Sequence, residues 1–391
     1  MKILTFSTLF PNTVRPSHGV FVETRLRHLV ASGEVSTRVL APIPWFPFTH
    51  PCFGEYAKFA HAPRTEERFG LQVDHPRYFL PPKVGMNIAP LLLALSAKRA
   101  IKRMLAAGED FDLIDAHYFY PDGVAAVLLG RWFNKPVVIT ARGSDLNLIS
   151  VHRIPRKWIQ WASRHAEGLI TVSGALKNIL VQMGAAPVKV TVLRNGVDLV
   201  QFQPTDRVQA RRELGLNGFV LLSVGNLIPL KGHDLAIRAL AAVPGTTLLL
   251  AGSGPEERSL RNLAEALAVS ERVRFLGTLP QDKLRTYYGA ADVLALASSR
   301  EGWANVLLES MACGTPVIAT AVGGSAEVVA AREAGILMAA RSSEALVQAI
   351  AQLRADYPDR TATRRYAERF GWDETSAGQL KLFRAILARQ T

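Results

Sequence analysis

Cysteine is nearly absent: Cys52 and Cys313 are the only two in 391 residues. Two cysteines make neither a disulfide framework nor a zinc cluster, and they fit a reducing compartment. Long apolar runs are missing too. The stretch Ile88 to Ala97 is about ten residues, too short to span a bilayer. Met1 to Phe10 is largely apolar after Lys2, but Pro11 ends it. A secretory leader needs a longer apolar run and a small-residue cleavage site, so this segment reads as a first strand. Internal repeats, low-complexity segments and dense basic runs are also lacking. Charged residues are 20% against 49% hydrophobic, which excludes a disordered chain and allows a full interior. What is present is charge of one sign. The net charge of +13 attracts anions: nucleotide phosphates, nucleic acid or an acidic membrane surface.

The length suits two α/β domains. Short apolar runs alternate with helical patterns. The expected strands are Lys2–Phe6, Thr37–Leu40, Leu113–Ala116, Val137–Thr140, Gly168–Val172, Lys189–Leu193, Phe219–Val224, Thr246–Ala251, Val273–Leu276, Val293–Leu296 and Pro316–Ala319. Such alternation implies parallel sheets covered on both faces. The pattern restarts near Phe219. The segment Asp198–Leu214 carries Pro204 and no strand, and marks the boundary. The expectation is two doubly wound domains facing a cleft, with ligands beyond the carboxyl ends of the strands.

Two segments invite a partner. In Ala41–Phe53, prolines interleave with Trp45, Phe46 and Phe48. These rings either meet an apolar partner or fold back onto the core. Pro90–Leu105 reads as a helix with Lys98, Arg99, Lys102 and Arg103 on one face and Leu93, Ala97, Ile101 and Met104 on another. That is either an ordinary solvated face or a membrane-surface helix.

The chemistry concentrates in Ser298–Glu309, Ser-Ser-Arg-Glu-Gly-Trp-Ala-Asn-Val-Leu-Leu-Glu, after an expected strand. Gly302 permits a tight turn and Asn305 or a neighbour starts a helix. Loop amides and a helix N-terminus suit a diphosphate. Glu301 in the loop can accept sugar hydroxyls. Glu309, flanked by Leu307, Leu308 and Met311, is at least partly buried and needs partners. Two glutamates at this spacing are by themselves usually just solvated. Cys313-Gly314-Thr315-Pro316-Val317-Ile318 and Gly323-Gly324-Ser325 follow, as connections or as part of the same site. Asp110-Phe111-Asp112 is a D-x-D, a pattern that can hold a metal, and reads as a decoy. No cluster has metal-ligand spacing. Gly252-Ser253-Gly254 is an incomplete dinucleotide fingerprint, with Glu257 where the third glycine belongs.

Taken together, Ser223-Val224-Gly225, Lys231-Gly232, Ala251-Gly252-Ser253-Gly254-Pro255, Phe275-Leu276-Gly277 and Glu301 through Val317 resemble the donor domain of glycosyltransferase family 4, retaining enzymes of the GT-B fold. The resemblance extends back through Arg194-Asn195-Gly196-Val197-Asp198, Val172-Ser173 and His117. It implies an acceptor-binding domain over residues 1–200, a nucleotide-sugar domain over 201–370, and a helix over 371–391 returning to the first domain. It makes Glu309 the ribose-binding glutamate, Glu301 the carboxylate facing the donor sugar and Lys231 the cation on the diphosphate. It makes His117 the histidine near the transferred sugar and Gly19 the glycine of the first loop. Donor contacts carried over in the same way are Gly252, Leu276, Gly277, Gly302, Trp303, Ala304, Asn305 and Val306. One departure is Asn226, where many members carry an arginine as a second cation. Either Lys231 suffices, or Arg142 or Arg194 contributes, and Arg142, Asp145 and Arg194 are candidate contacts to acceptor or phosphate. The alternative for Arg142 is a structural salt bridge with Asp145.

The resemblance implies transfer from a nucleoside diphosphate sugar without metal or cofactor. With the basic helix and aromatic loop it points to a lipid-linked saccharide acceptor in cell-surface polysaccharide assembly. The location then expected is the cytoplasm, at the inner membrane face. Two rivals stand beside this: a sugar-nucleotide epimerase of related fold, and a nucleic-acid-binding protein using its charge. The second lacks interleaved stacking aromatics.

Overall fold

In the computed structural model, which describes residues 1–81 and 85–390, the apolar runs form a sheet in each of two compact units. The first unit is Met1–Asn195 with Asp373–Thr391, of which Thr391 lies outside the described residues. Its strands are β1 (Lys2–Phe6), β2 (Ser36–Leu40), β3 (Ile43–Pro44), β4 (Thr65–Arg68), β5 (Leu71–Asp74), β6 (Arg77–Tyr78), β7 (Leu113–His117), β8 (Val137–Ala141), β9 (Gly168–Thr171) and β10 (Val190–Val192). They pair in the order β10-β9-β8-β7-β1-β2-β5-β4, with β3 beside β6. Only β4 runs antiparallel, against β5. Every residue of β7 and β8 is buried, including the polar Asp115, His117 and Thr140, and Leu113, Ile114 and Val137–Ile139 give these strands their apolar signal.

The second unit is Gly196–Trp372. It holds β11 (Phe219–Val224), β12 (Thr246–Ala251), β13 (Val273–Gly277), β14 (Val293–Leu296), β15 (Val317–Thr320) and β16 (Gly335–Met338), parallel in the order β13-β12-β11-β14-β15-β16. In each sheet the winding reverses at one point, between β7 and β1 and between β11 and β14. Ligand sites in open α/β sheets form outside such points.

The helix Trp372–Leu387 buries Leu380, Phe383 and Ile386 in the first unit's core with Ile3, Val138 and Ile170. Full burial of a side chain like Phe383 contributes about 1.5–3 kcal/mol. The division between units falls at Asn195/Gly196, ahead of the Asp198–Leu214 segment. That segment is tied into the second unit: Arg364 donates to the carbonyls of Leu199 and Phe202.

Charged β4 (Thr-Glu-Glu-Arg) carries no apolar run and β16 (Gly-Ile-Leu-Met) only a short one, so the sequence pattern passes over them. In the aromatic segment the rings pack mainly on one another. Phe46 packs on Phe48, Phe53 and Tyr56, and Trp45 on Phe79, while Trp45 and Phe48 stay about half exposed. The basic helix runs over Gly85–Ala106. Leu93, Ala97, Ile101 and Met104 are buried in the first unit, so this apolar strip is core and not a surface. The exposed apolar residues are instead Ile88, Leu91 and Leu95, on the same face as Lys98 and Lys102. Lys98 Nζ stands 4.4 Å from the Trp132 ring centroid. No helix among the described residues is long and apolar enough to cross a membrane.

Candidate active site

In the second unit, glycines let the loops after β11, β12, β14 and β15 approach one another backbone to backbone. Gly252 has φ 148°, and a Cβ there would stand 1.9 Å from the Gly225 carbonyl oxygen. Gly323, with φ 51°, would place one 1.8 Å from the Glu301 oxygen. Only glycine allows these approaches. The stem of Lys231 lies across Gly225. Its Nζ donates to Glu301 Oε1 at 2.6 Å, and Ser298 Oγ donates to the same oxygen at 2.7 Å. The sequence thus names two members of a three-residue cluster. Ser298 opens the same segment, and its sequence position alone assigns it no role.

Glu309 sits in the helix Asn305–Ala312, where Tyr288 Oη donates to Oε2 at 2.8 Å. Burial lifts its carboxyl to about 7, and the Tyr288 bond opposes that rise. Tyr288 lies on the helix Gln281–Ala290 and carries no motif, so nothing in the sequence marks it. Around these residues Trp303 and Ala304 are buried, and Gly302, Asn305, Val306, Leu276 and Gly277 are half-buried. Asn226 is exposed, and its carbonyl accepts from the Ile228 amide and from His233 Nε2. His233 bonds Ser223 Oγ through Nδ1, and burial lowers its pKa. It is a structural histidine.

The first unit gathers a separate polar cluster at the ends of β7 and β8. His117 Nε2 is 3.2 Å from Asp115 Oδ2, and its Nδ1 is 2.6 Å from Arg142 Nη2. Arg142 Nη1 donates to Asn195 Oδ1 at 2.9 Å. Asp115 also accepts from Gln379 Nε2, and Gln379 Oε1 accepts from Arg25 Nε. Burial lowers the His117 pKa to about 4; Asp115 opposes that and Arg142 adds to it. His117 is therefore neutral, with both nitrogens engaged and its ring buried. Burial pushes Asp115 up, but His117, Arg25 and Arg142 hold it below the usual carboxylate value. Burial, then Arg25, lowers the Arg142 pKa, and Arg142 Nε is buried without a partner.

The guanidinium of Arg142 makes no salt bridge to Asp145. Asp145 instead accepts the amides of Phe119, Arg142, Gly143 and Leu146, four donors that fix the loop after β8. Arg194 is exposed, and its carbonyl accepts from Thr375. Gly19, with φ 75°, caps the helix Val20–Ala31; a Cβ would stand 2.3 Å from the Leu9 carbonyl oxygen. Behind that loop Asp122 accepts from the Thr8 amide at 2.6 Å, and burial still raises its pKa to about 8. Asp110 and Asp112 lie ahead of β7, at the opposite end of the sheet. Asp110 pairs with Lys135 and Asp112 accepts the Lys2 amide, which accounts for both.

The profile described as Glycosyltransferase Family 4 matches residues 56–201, and that of Glycosyl transferases group 1 matches residues 206–370. A D-inositol 3-phosphate glycosyltransferase of Acidothermus cellulolyticus is 35% identical over 309 residues, 72% of this chain and 68% of the relative. Sucrose-phosphate synthase from Thermosynechococcus elongatus superposes with a TM-score of 0.80 at 21% identity, over 99% of each chain. Anabaena HepE in complex with UDP-glucose gives 0.74 at 21% identity, over 98% of this chain and 100% of that one. Both likenesses are of fold.

Proposed function

We propose a function from one premise: the chain belongs to glycosyltransferase family 4. It is a retaining GT-B enzyme using a nucleotide-sugar donor, and family membership selects the transferase over the epimerase and nucleic-acid readings. The finer reading is transfer from a UDP-sugar to a phosphate-bearing acceptor. The observation that carries the donor half is the Lys231–Glu301–Ser298 cluster beside glycine-walled loops.

In this reading Glu309 holds the ribose and Lys231 turns from Glu301 to the diphosphate. Glu301 is thereby released to sugar hydroxyls. With Asn226 adding no charge, Lys231 stabilises the leaving nucleotide, which itself takes the acceptor proton. The exposed loop amides bind the diphosphate without a metal. Gly19 shapes the first loop. His117, both nitrogens engaged, positions Arg142, whose charge suits an acceptor phosphate.

The relative from Acidothermus supports D-inositol 3-phosphate as the first acceptor to try. A second reading, a lipid-linked saccharide acceptor of surface polysaccharide at an anionic membrane, rests on Ile88, Leu91 and Leu95 exposed beside Lys98 and Lys102. Incubation with labelled UDP-sugars and each acceptor class decides between them. Product on a phosphate-bearing acceptor is expected. Product only on uncharged saccharides contradicts the finer reading.

A further inference from the structure

Along the edge of the first unit's sheet, the helix Gly85–Ala106 and residues of β2, β4, β5 and β6 line a cavity of about 500 Å³. None of its lining residues belongs to the candidate active site. Five arginines face it: Arg38, Arg64, Arg77, Arg99 and Arg103. Arg38 is neutralised, with Nε 2.9 Å from Asp74 and Nη1 3.5 Å from Glu109, the two carboxylates among the lining residues. Among the described residues the other four have no carboxylate partner.

Arg77 is the most informative. Its Nη2 donates to the Ala62 carbonyl, but its Nη1 is buried with no partner. Burial, and next the neighbouring Arg64 charge, lowers its pKa. A buried donor left unmade is costly, and like charges gathered with no carboxylate between them repel. A bound anion removes both costs.

We propose that this cavity is a second ligand site, which takes the phosphate group of a phosphomonoester or phosphodiester. Guanidiniums reach it from strands and from a helix, so they approach from several sides. A tetrahedral phosphate accepts bonds on all its faces, whereas a carboxylate is planar. The volume lies within the range of small-molecule sites and exceeds a bare ion. Trp45 on the wall offers a surface to the organic part of the ligand. The inference does not depend on the transfer reading.

Thermal stabilisation of the full chain by inorganic phosphate, against chloride at equal ionic strength, tests it. Wild type, Lys231→Gln, R64Q/R77Q and R99Q/R103Q are compared. Lys231→Gln measures the share of the response that comes from phosphate in the donor site, and the remaining response should persist in it. Both arginine pairs should require about tenfold more phosphate or greater. Arg99 and Arg103 are exposed, so their variant keeps the test open should the other fail to fold. A second arm uses phosphatidylcholine vesicles with and without phosphatidic acid. Vesicle binding that free phosphate displaces and the arginine variants lose assigns the group to a lipid headgroup. Response to soluble phosphate alone assigns it to a free phosphorylated ligand. A phosphate response unaltered by either arginine pair, in solution and on vesicles, overturns the site.

Discussion

Near pH 7 Glu309 stands at the midpoint of its titration, because burial lifts its carboxyl to about 7. Ribose hydroxyls donate, so the ionised form is the one that holds a nucleotide. Binding of a nucleoside diphosphate should therefore release part of a proton at neutral pH and weaken as pH falls below 7. Calorimetry in buffers of different ionisation enthalpy measures this. The stability linkage has the opposite sense. A raised carboxyl pKa contributes stability below the unfolded value of 4.5, and that contribution is lost as pH rises through about 7. Glu309→Ala removes a charge-assisted acceptor worth about 1.5–3 kcal/mol, and unchanged nucleotide affinity would show the ribose assignment wrong. Arg142→Gln should raise the KM for a phosphate-bearing acceptor while leaving nucleotide affinity intact. Equal loss of both would remove Arg142 from the acceptor side.

At the scale of elements, the glycine loops carry the donor site's shape. Gly252→Ala combines a left-handed backbone with a Cβ 1.9 Å from a carbonyl oxygen, and should cost about 1–3 kcal/mol or more. Denaturant unfolding should show the loss, with nucleotide binding falling alongside. A fully stable variant would contradict so close an approach of the two loops. The helix Gly85–Ala106 makes a different prediction. Changing Lys98, Arg99, Lys102 and Arg103 together to glutamine should reduce co-sedimentation with anionic vesicles, since each basic residue contributes about 1 kcal/mol near such a surface. Identical partitioning of wild type and variant contradicts a membrane role. The exposed Ile88, Leu91 and Leu95, not the buried strip at Leu93, supply the apolar part of that face.

These elements also show what the sequence could reveal. Strands buried on both faces, such as β8 and β11, announce themselves as largely apolar runs. Charged β4, at a sheet edge, does not. Within the candidate site, glycines and acids in one loop were legible as a motif. Partners that arrive from elsewhere were not. Tyr288 reaches Glu309 from another helix, and Gln379 reaches Asp115 across 264 positions of chain. Such contacts have no local periodicity. The Arg142–Asp145 pairing went astray for a related reason: proximity in sequence suggested a salt bridge, whereas the backbone amides took the carboxylate.

For the whole molecule, the net charge of +13 provides a field for anionic ligands, and the fold supplies the places where they dock. Lys231 and the loop amides carry the diphosphate in this reading, so activity should survive EDTA. Full loss that Mn²⁺ or Mg²⁺ restores would return Asp110 and Asp112 to consideration. The central claim is a division of labour between the two glutamates, Glu309 binding and Glu301 acting in transfer. Its most direct measurement is Glu301→Gln assayed twice, for nucleoside diphosphate affinity and for sugar transfer under donor saturation. Affinity within about twofold of wild type is expected, since an amide keeps the residue's shape while a truncated charge-assisted contact would cost far more. Transfer should fall by about a hundredfold or more, the scale of a lost transition-state contact. Equal losses in affinity and turnover, or undiminished turnover, would contradict it.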